Sequence, residues 1–404
     1  MLLEFKLRNF RSFLRVQVFS FPAMPGRVKP GADEARGAGR RKPQGSRVAV
    51  IFGPNGTGKT NLILALETLR NLVLQSATYT DTQYAEQHKP FQFGGNEGGA
   101  TEFELELQLE GSRYRYTLAY DGERIQFERL LVYRTGKPQR WFEREFDPAE
   151  GTDRWAPFSP NFNGSRELWR RMTRPKALFL TTAARLECEQ LQPLFRWFEH
   201  GLNIRFGTDG ADLSSIAASL RDEGLKTRML EVLHAVDIPV EDIRVAESGP
   251  SAQANERMRV EVGYERTRAT QVWLDSEVEA HGTLRLLNLL GPLLSAFDRG
   301  SLLVVDEFDA GLHPLVARFV VQLAKQTPVS HGGPQLLLTS HEAALMVPEI
   351  LDHDEIWLME RDRDRSSQLL PVSDRGPRKR ERLVRGYLRG RYGAIPNIRL
   401  ERVL

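Results

Sequence analysis

The spacing of hydrophobic positions changes several times along the chain, and each spacing predicts a different kind of element. Residues 2–8 and 16–21 alternate between apolar and polar side chains, which is typical of half-buried strands. Strong alternation returns after residue 100 in three runs that short glycine-containing turns separate, and these runs predict an antiparallel meander. The three runs span residues 101–109, 113–120 and 124–133.

Two segments have the composition of loops. Residues 22–46 are rich in Pro, Gly, Ala and Arg and are expected to form a mobile insertion. Its basic cluster, Arg40-Arg41-Lys42, is interpreted as part of a solvated loop in preference to a nucleic-acid contact. Residues 134–165 are rich in Pro, Gly and Asp, so a second loop is expected there.

Helical and strand patterns alternate in the second half of the chain. A helical pattern covers about 166–236 and includes a pair, 213–220 and 225–236. A helical hairpin is preferred to a DNA-binding helix-turn-helix, because the pair has few basic residues. Strand patterns follow at 241–248, 257–265 and 268–274. An amphipathic helix begins near Thr283, and an apolar run from Leu302 predicts a strand buried on both faces.

A β-branched run and a helical pattern flank a loop that fits G-x-x-x-x-G-K-[ST] at every fixed position. In this context the backbone N–H groups of the loop form a nest for phosphates, which the helix N-terminus supports. Lys59 is expected to reach the β- and γ-phosphates, and Thr60 to place its hydroxyl on Mg²⁺. The chain is therefore expected to bind a nucleoside triphosphate. The residues assigned to it are Gly53, Pro54, Asn55, Gly56, Thr57, Gly58, Lys59, Thr60 and Asn61.

Two apolar runs end in polar residues that suit hydrolysis. The run from Ser301 ends in Asp306, a candidate Mg²⁺ ligand, and Glu307, a candidate base for the attacking water. The run from Gln335 ends at His341, which could hydrogen-bond the γ-phosphate, although a packed or capping histidine is the alternative. Lys59, Glu307 and His341 are the predicted catalytic residues.

The loop and the acidic strand lie roughly 250 residues apart, far more than one βαβ unit contains. Just before the acidic strand, His281, Gly282 and Thr283 open a helix. Its N–H groups and the Thr283 hydroxyl could hydrogen-bond the γ-phosphate of a nucleotide bound to Lys59 of a second subunit. The alternative interpretation is an ordinary capped helix start. The sequence therefore predicts a site that two copies share.

The motifs GPNGTGKT, HGTLRLL, LLVVDEFDAGLHP and TSHE resemble those of the ABC-type ATPase heads of SMC and RecF proteins. Residues 5–13 are similar to the first strand and turn of those heads and add Arg11 to the nucleotide-binding set. More narrowly, residues 177–180 and 387–396 resemble the standalone prokaryotic AAA-family ATPases of the AbiLi type, near the PARIS defence ATPase. The resemblance implies an α/β fold, an ABC-type P-loop ATPase head with an antiparallel β subdomain and an inserted helical/β subdomain.

Three features depart from the family pattern. His281-Gly282-Thr283 replaces the usual Leu-Ser-Gly-Gly-Gln signature. Gln92 is only a candidate for the Q-loop glutamine. Long heptad arms are absent from the sequence, which argues against an SMC or DNA-repair tether.

The resemblance implies an ATPase that uses ATP and Mg²⁺ and acts as a homodimer or a higher homo-oligomer. Its expected role is that of sensor and regulatory subunit in an anti-phage, abortive-infection system. There it would control a separately encoded RloB-like or Toprim nuclease or toxin, with a phage-derived trigger as one option. The residues after His341 are too few for a nuclease domain of their own. A RecF- or SMC-like DNA-repair or recombination ATPase is the alternative.

The composition limits the class of protein and the cellular compartment that can be expected. The 404 residues include 56 Lys+Arg against 53 Asp+Glu, so the chain is not a polycation that coats nucleic acid. The single cysteine, Cys188, excludes an intrachain disulfide and suits a reducing cytosol. Neither a signal peptide nor a membrane span is recognisable, so a cytoplasmic protein without membrane contact is expected. The tail from Arg375 is basic. It could contact nucleic acid or an acidic partner, or it could be the solvated face of a helix.

The patterns together suggest three regions. Residues 1–133 would form the N-terminal ATPase lobe, with 22–46 as its insertion. Residues 134–275 would form a helical and β insertion, and 276–404 the C-terminal lobe with the signature-like helix, the acidic strand and His341. The charge run around Asp362-Arg363-Asp364 is interpreted as a solvated turn and not as a metal site.

Overall fold

The computed structural model describes residues 1–21, 47–94, 98–134, 136–207, 212–247, 258–267, 270–327, 333–377 and 383–396. The strands are β1 (Leu2–Arg8), β2 (Gln17–Ser20), β3 (Val48–Phe52), β4 (Thr101–Leu109), β5 (Ser112–Tyr120), β6 (Ile125–Tyr133), β7 (Pro138–Asp147), β8 (Thr152–Trp155), β9 (Leu202–Arg205), β10 (Asp242–Glu247), β11 (Met258–Thr267), β12 (Thr270–Asp275), β13 (Leu302–Val305), β14 (Gln335–Ser340), β15 (Ile356–Arg361) and β16 (Ser367–Pro371). The α-helices are α1 (Lys59–Gln75), α2 (Asp81–Ala85), α3 (Arg166–Met172), α4 (Phe179–Arg185), α5 (Gln192–Arg196), α6 (Leu213–Ser219), α7 (Glu223–Ala235), α8 (His281–Arg299), α9 (Pro314–Gln326) and α10 (Leu383–Leu388). The insertion at 22–46 and the basic residues Arg378, Lys379 and Arg380 lie outside these ranges.

A mixed sheet at the centre carries the chemistry-bearing segments. Over the described ranges its strand order is β16-β15-β3-β14-β13-β9, with every neighbouring pair parallel except β15 and β16. Every residue of β3, β13 and β14 is buried, as their continuous apolar runs predict. Alternate side chains enter two cores, because Ala49 and Ile51 face one and Val48 and Val50 face the other. Both predicted catalytic strands are therefore central.

An antiparallel sheet packs on the α1 side of the central sheet. In the part of the chain that the structure describes, its order is β2-β1-β4-β5-β6-β7-β8, so the predicted meander is confirmed. The predicted loop at 134–165 is wrong, because β7 and β8 extend the meander there. Consecutive buried residues Trp141 and Phe142, and a register shift opposite them between Leu130 and Leu131, break the alternation by which a strand is recognised.

The region between the two lobes also holds a strand that the sequence did not reveal. β9 is four residues long, lies inside the predicted helical stretch 166–236, and pairs in parallel with β13. Its shortness explains the omission, since alternation cannot be recognised over so few positions. The regions divided at 133 and 275 remain a proposal, and the two larger sheets each contain strands from both sides of residue 133.

The remaining β10, β11 and β12 form an antiparallel sheet, in agreement with the three predicted strands. α6 and α7 form the predicted helical pair and contribute to the same core as α8. Two basic residues of the pair are held in ion pairs, Lys226 with Asp242 and Arg228 with Asp298, both at 2.7 Å. Both helices of the pair thus pack against α8. The predicted α/β class, with an antiparallel subdomain and an inserted helical and β subdomain, is confirmed.

Candidate nucleotide-binding site

The glycine loop joins β3 to α1, as its sequence predicts. Gly56 and Gly58 have φ angles of 73° and 107°, a left-handed region that glycine adopts without strain. A Cβ at Gly58 would collide with the hydroxyls of Ser12 and Ser367, so the loop is closely packed on its outer side. Gly58 also precedes α1 without a side-chain cap on the helix. The N–H groups at this helix start are therefore suited to an anion.

Lys59 is folded back onto the loop. Its Nζ donates to the carbonyls of Gly53 at 2.7 Å and Pro54 at 3.1 Å, and the residue is 5% exposed. Burial lowers the pKa of Lys59 to about 8, although the nearby carboxylates of Asp306 and Glu307 oppose the shift. The ammonium group thus lies in the site beside carboxylates, and its hydrogen-bond partners in the described part of the chain are the carbonyl oxygens of the loop. A triphosphate would offer it stronger ones.

Asp306 lies beside the end of the glycine loop. The Thr60 hydroxyl donates to Asp306 Oδ2 at 2.6 Å, and the Thr339 hydroxyl donates to Asp306 Oδ1. A hydroxyl and a carboxylate side by side are ligands that Mg²⁺ takes together with phosphate oxygens. Within the described ranges no group of three His, Cys, Asp or Glu side chains could hold a metal. The donor set therefore fits an ion that relies on phosphates for its remaining ligands.

Glu307 follows Asp306 in an unusual backbone conformation. Its φ is 47°, which is strained for a residue with a side chain, and its N–H donates to Thr339 Oγ1 at 2.7 Å. Arg285 of α8 donates to the Glu307 carbonyl at 3.3 Å. The Glu307 carboxylate is a third exposed and lies 3.7 Å from His341 Nε2. The end of β13 and the end of β14 thus bring Glu307 and His341 together.

Sequence reasoning did not assign Thr339 or Asp309 to this site. Thr339 bonds to both Asp306 and Glu307, and the signal was a polar β-branched residue at the end of an apolar strand. Asp309 accepts the His341 N–H at 3.2 Å, and its other oxygen is buried without a hydrogen-bond partner in the described chain. Burial raises the pKa of Asp309.

In the N-terminal turn, Ser12, the neighbour of the predicted Arg11, contacts the first turn of α1. The Arg11 side chain is exposed, and its guanidinium lies 5.7 Å from the ring centre of Phe10. Its neighbour Ser12 accepts a hydrogen bond from Asn61 at 2.9 Å, directly after the glycine loop. Gln92 is exposed. Arg11 therefore stays a prediction, while Ser12 joins the described site.

The signature-like residues lie at the exposed start of α8. His281 is exposed, Gly282 is half-buried and Thr283 is buried. A Cβ at Gly282 would lie 3.2 Å from the Gly311 carbonyl, so this helix start is next to the segment that follows the acidic strand. Ala280 precedes the helix without a side-chain cap. Whether these N–H groups meet a second copy stays a prediction.

The chain was compared with protein families, with curated proteins and with solved structures. The model of the family described as "AAA domain, putative AbiEii toxin, Type IV TA system" matches residues 48–347, which include the glycine loop, both acids and His341. No curated protein matches the chain. A solved structure described as "Crystal structure of the SmcHead bound to the C-winged helix domain of ScpA" is similar at 14% identity and a TM-score of 0.41. The likeness covers 91% of this chain and 96% of that one.

Proposed function

The chain belongs to the family described as "AAA domain, putative AbiEii toxin, Type IV TA system", and from this premise we propose that it binds and hydrolyses ATP as an ABC-like switch. The hydrogen-bonded set of Thr60, Asp306, Thr339 and Glu307 is the observation that carries the proposal. These hydrogen bonds connect the glycine loop to Asp306 and Glu307, which are far from the loop in the sequence. Such a set suits a triphosphate with a divalent ion.

In this proposal each residue has one task in hydrolysis. Lys59 leaves the Gly53 and Pro54 carbonyls and binds the β- and γ-phosphates. Glu307 orients a water and takes its proton as the water oxygen bonds to the γ-phosphorus, while the bond from that phosphorus to the bridging oxygen of ADP breaks. His341, beside Glu307, is placed to hydrogen-bond the γ-phosphate.

Thr60 and Asp306 would hold Mg²⁺, which neutralises charge on the phosphates when it is bound. Their oxygens fit this group because the hydroxyl and the carboxylate already lie side by side. The protein's own part is to fix the position of Asp306. Two hydroxyls, from Thr60 and Thr339, donate hydrogen bonds to its two carboxylate oxygens.

We further propose that two copies complete the pocket. The start of α8 supports this arrangement, because it has no side-chain cap, its first residue His281 is exposed and Gly282 is half-buried. Its free N–H groups could therefore bind a phosphate that another subunit holds. ATP held by Lys59 of one subunit and by Gly282 and Thr283 of the other would lock a closed dimer. Hydrolysis would open the dimer, so the bound nucleotide would determine whether the protein is a closed dimer.

The cellular role that fits this switch is regulation of a toxic effector during phage infection. The family description, which names a toxin of a type IV toxin–antitoxin system, supports a defence role. The effector in this proposal is a separately encoded RloB-like or Toprim nuclease, as in AbiLi-type and PARIS systems. Growth arrest that needs both the neighbouring gene and an intact Lys59 would support it. ATP-dependent DNA binding by the isolated chain, without growth arrest, would instead favour the RecF- or SMC-like repair role.

The ATPase proposal is tested on the purified chain with Mg²⁺ and radiolabelled ATP. Release of phosphate by the wild-type protein, and loss of both ATP binding and release in Lys59→Ala, are expected. A wild-type protein that fails to bind ATP would overturn the proposal. Arg11→Ala in the same assay shows whether the exposed arginine contributes to ATP affinity.

A further inference from the structure

The hairpin of β15 and β16 holds the outer side of the glycine loop, and its contact residues lie beyond the matched family range of 48–347. The Arg361 guanidinium donates to the Gly56 carbonyl, and the Ser367 hydroxyl donates to the Thr57 carbonyl at 2.5 Å. Gly58 lies so close to Ser367 that any Cβ there would collide with its hydroxyl. One hairpin therefore contacts three successive residues of the loop.

Ser367 also connects the loop to the N-terminal turn. Its N–H donates to the Ser12 carbonyl at 2.7 Å, and the hydroxyls of the two serines lie 2.7 Å apart. Asn61, in the first turn of α1, donates to the Ser12 hydroxyl at 2.9 Å. Ser367 is 1% exposed, so these polar contacts are shielded from water and loss of its hydroxyl would leave the Thr57 carbonyl without that donor.

The tip of the same hairpin is tied to the N-terminal segment by charge. Arg15 pairs with Asp362 at 3.2 Å and with Asp364 at 2.8 Å. The Asp-x-Asp run, interpreted from the sequence as a solvated turn, is thus a surface turn with a cationic partner. Such exposed pairs add little stability. They connect the turn between Arg361 and Ser367 to the N-terminal segment.

We propose that Arg361 and Ser367 are positioning residues that hold the glycine loop in its phosphate-binding conformation before the nucleotide arrives. The inference rests on the proposed function, since it concerns affinity for ATP. Gly56 and Gly58 have left-handed φ angles and would otherwise sample other conformations. A loop that is already ordered loses less conformational entropy on binding, so the hairpin contributes to affinity without touching the phosphates.

Isothermal titration of ATP with Mg²⁺ into variants tests this role. Arg361→Ala and Ser367→Ala should each raise the Kd about 10-fold, the loss of one net hydrogen bond to an ordered loop, while kcat at saturating ATP changes less than about 2-fold. Arg361→Lys keeps a donor for the Gly56 carbonyl and should recover most of the affinity. Arg363→Ala, an exposed arginine on the same turn, is the matched control and should bind like wild type.

The outcomes separate this inference from the proposed function. If the wild-type protein does not bind ATP, the proposed function fails. If it binds and both alanine variants bind equally well, only the positioning role fails. A lower melting temperature with an unchanged Kd would also contradict it, because that pattern is purely structural. Should Ser367→Ala fail to fold, the exposed Arg361 still decides the question.

Discussion

Thr339 controls the backbone of Glu307, 32 residues earlier in the chain, because its hydroxyl oxygen accepts the Glu307 N–H at 2.7 Å. The same hydroxyl donates its hydrogen to Asp306, so one side chain fixes both acids. Glu307 has a φ of 47°, and a strained residue of this kind persists only where its surroundings hold it. The strain lies at the proposed catalytic base, which a neighbouring strand keeps in place.

Replacing Thr339 by valine keeps the shape of the side chain but removes both hydrogen bonds. We expect kcat for ATP hydrolysis to fall about 10- to 100-fold, because Glu307 and Asp306 lose their common anchor. Thr339→Ser keeps the hydroxyl and should retain most of the activity. Steady-state phosphate release measures both, and equal rates for the valine and serine variants would contradict the proposed anchor.

Glu307→Gln should abolish turnover and leave ATP binding intact. The amide keeps the size of the side chain but cannot accept a proton from water, so a loss of about 10²- to 10⁴-fold in kcat is expected. Glu342→Gln is the control, since Glu342 caps a short helical turn just after His341 and is not assigned to the chemistry. Normal turnover in Glu307→Gln would remove Glu307 from its role.

The pKa of Lys59, lowered to about 8 by burial, makes ATP affinity depend on pH. Bound phosphates raise the pKa of Lys59, so binding above pH 8 takes up a proton. Affinity should therefore be steady from about pH 7 to 8 and fall by up to about 10-fold per unit above that. Calorimetry in two buffers measures both the Kd and the proton uptake.

Lys59→Arg is the matched variant for that titration, since guanidinium stays protonated throughout the range. It should bind ATP more weakly at pH 7 but with a flatter pH profile. A wild-type Kd that does not change between about pH 7 and 9.5 would show that Lys59 does not titrate in the free site.

A buried ion pair joins the antiparallel sheet to α4. Glu128 and Arg144 are at most 1% exposed, and Glu128 also accepts the N–H groups of Phe179 at 2.7 Å and Leu180 at 2.9 Å. Glu128→Gln leaves the Arg144 charge buried without its main partner. We expect it to lower the free energy of unfolding by about 3–5 kcal/mol, measured by urea denaturation.

The half-exposed pair of Arg8 and Glu102 is the control for that measurement. Glu102→Gln should lower the free energy of unfolding by at most about 1 kcal/mol, because water screens the pair and solvates the Arg8 side chain that remains. A Glu128→Gln protein as stable as Glu102→Gln would mean that the buried pair is dispensable for the packing of α4.

The sequence predicts those parts of the site that follow from local pattern. Lys59 lies in a motif with its own strand and helix, and Asp306 and His341 end continuous apolar runs, so their places could be inferred without the fold. Ser367 acts through partners that are distant in the sequence, and no local spacing marks it. Thr339 also acts on a distant residue, and its local signal was only a polar β-branched side chain at the end of an apolar strand. β7 and β9 were missed for local reasons, because consecutive buried residues break the alternation of β7, and β9 is only four residues long.

Sedimentation velocity of Glu307→Gln shows whether a second copy completes the nucleotide site, as we propose. One protomer has a mass of 46.0 kDa. With Mg²⁺ and ATP we expect at least twice that mass, and without nucleotide a return towards the protomer mass. Gly282→Trp in the same background should still bind ATP but stay a protomer. A mass that ATP leaves unchanged, in a protein that demonstrably binds ATP, would contradict the claim.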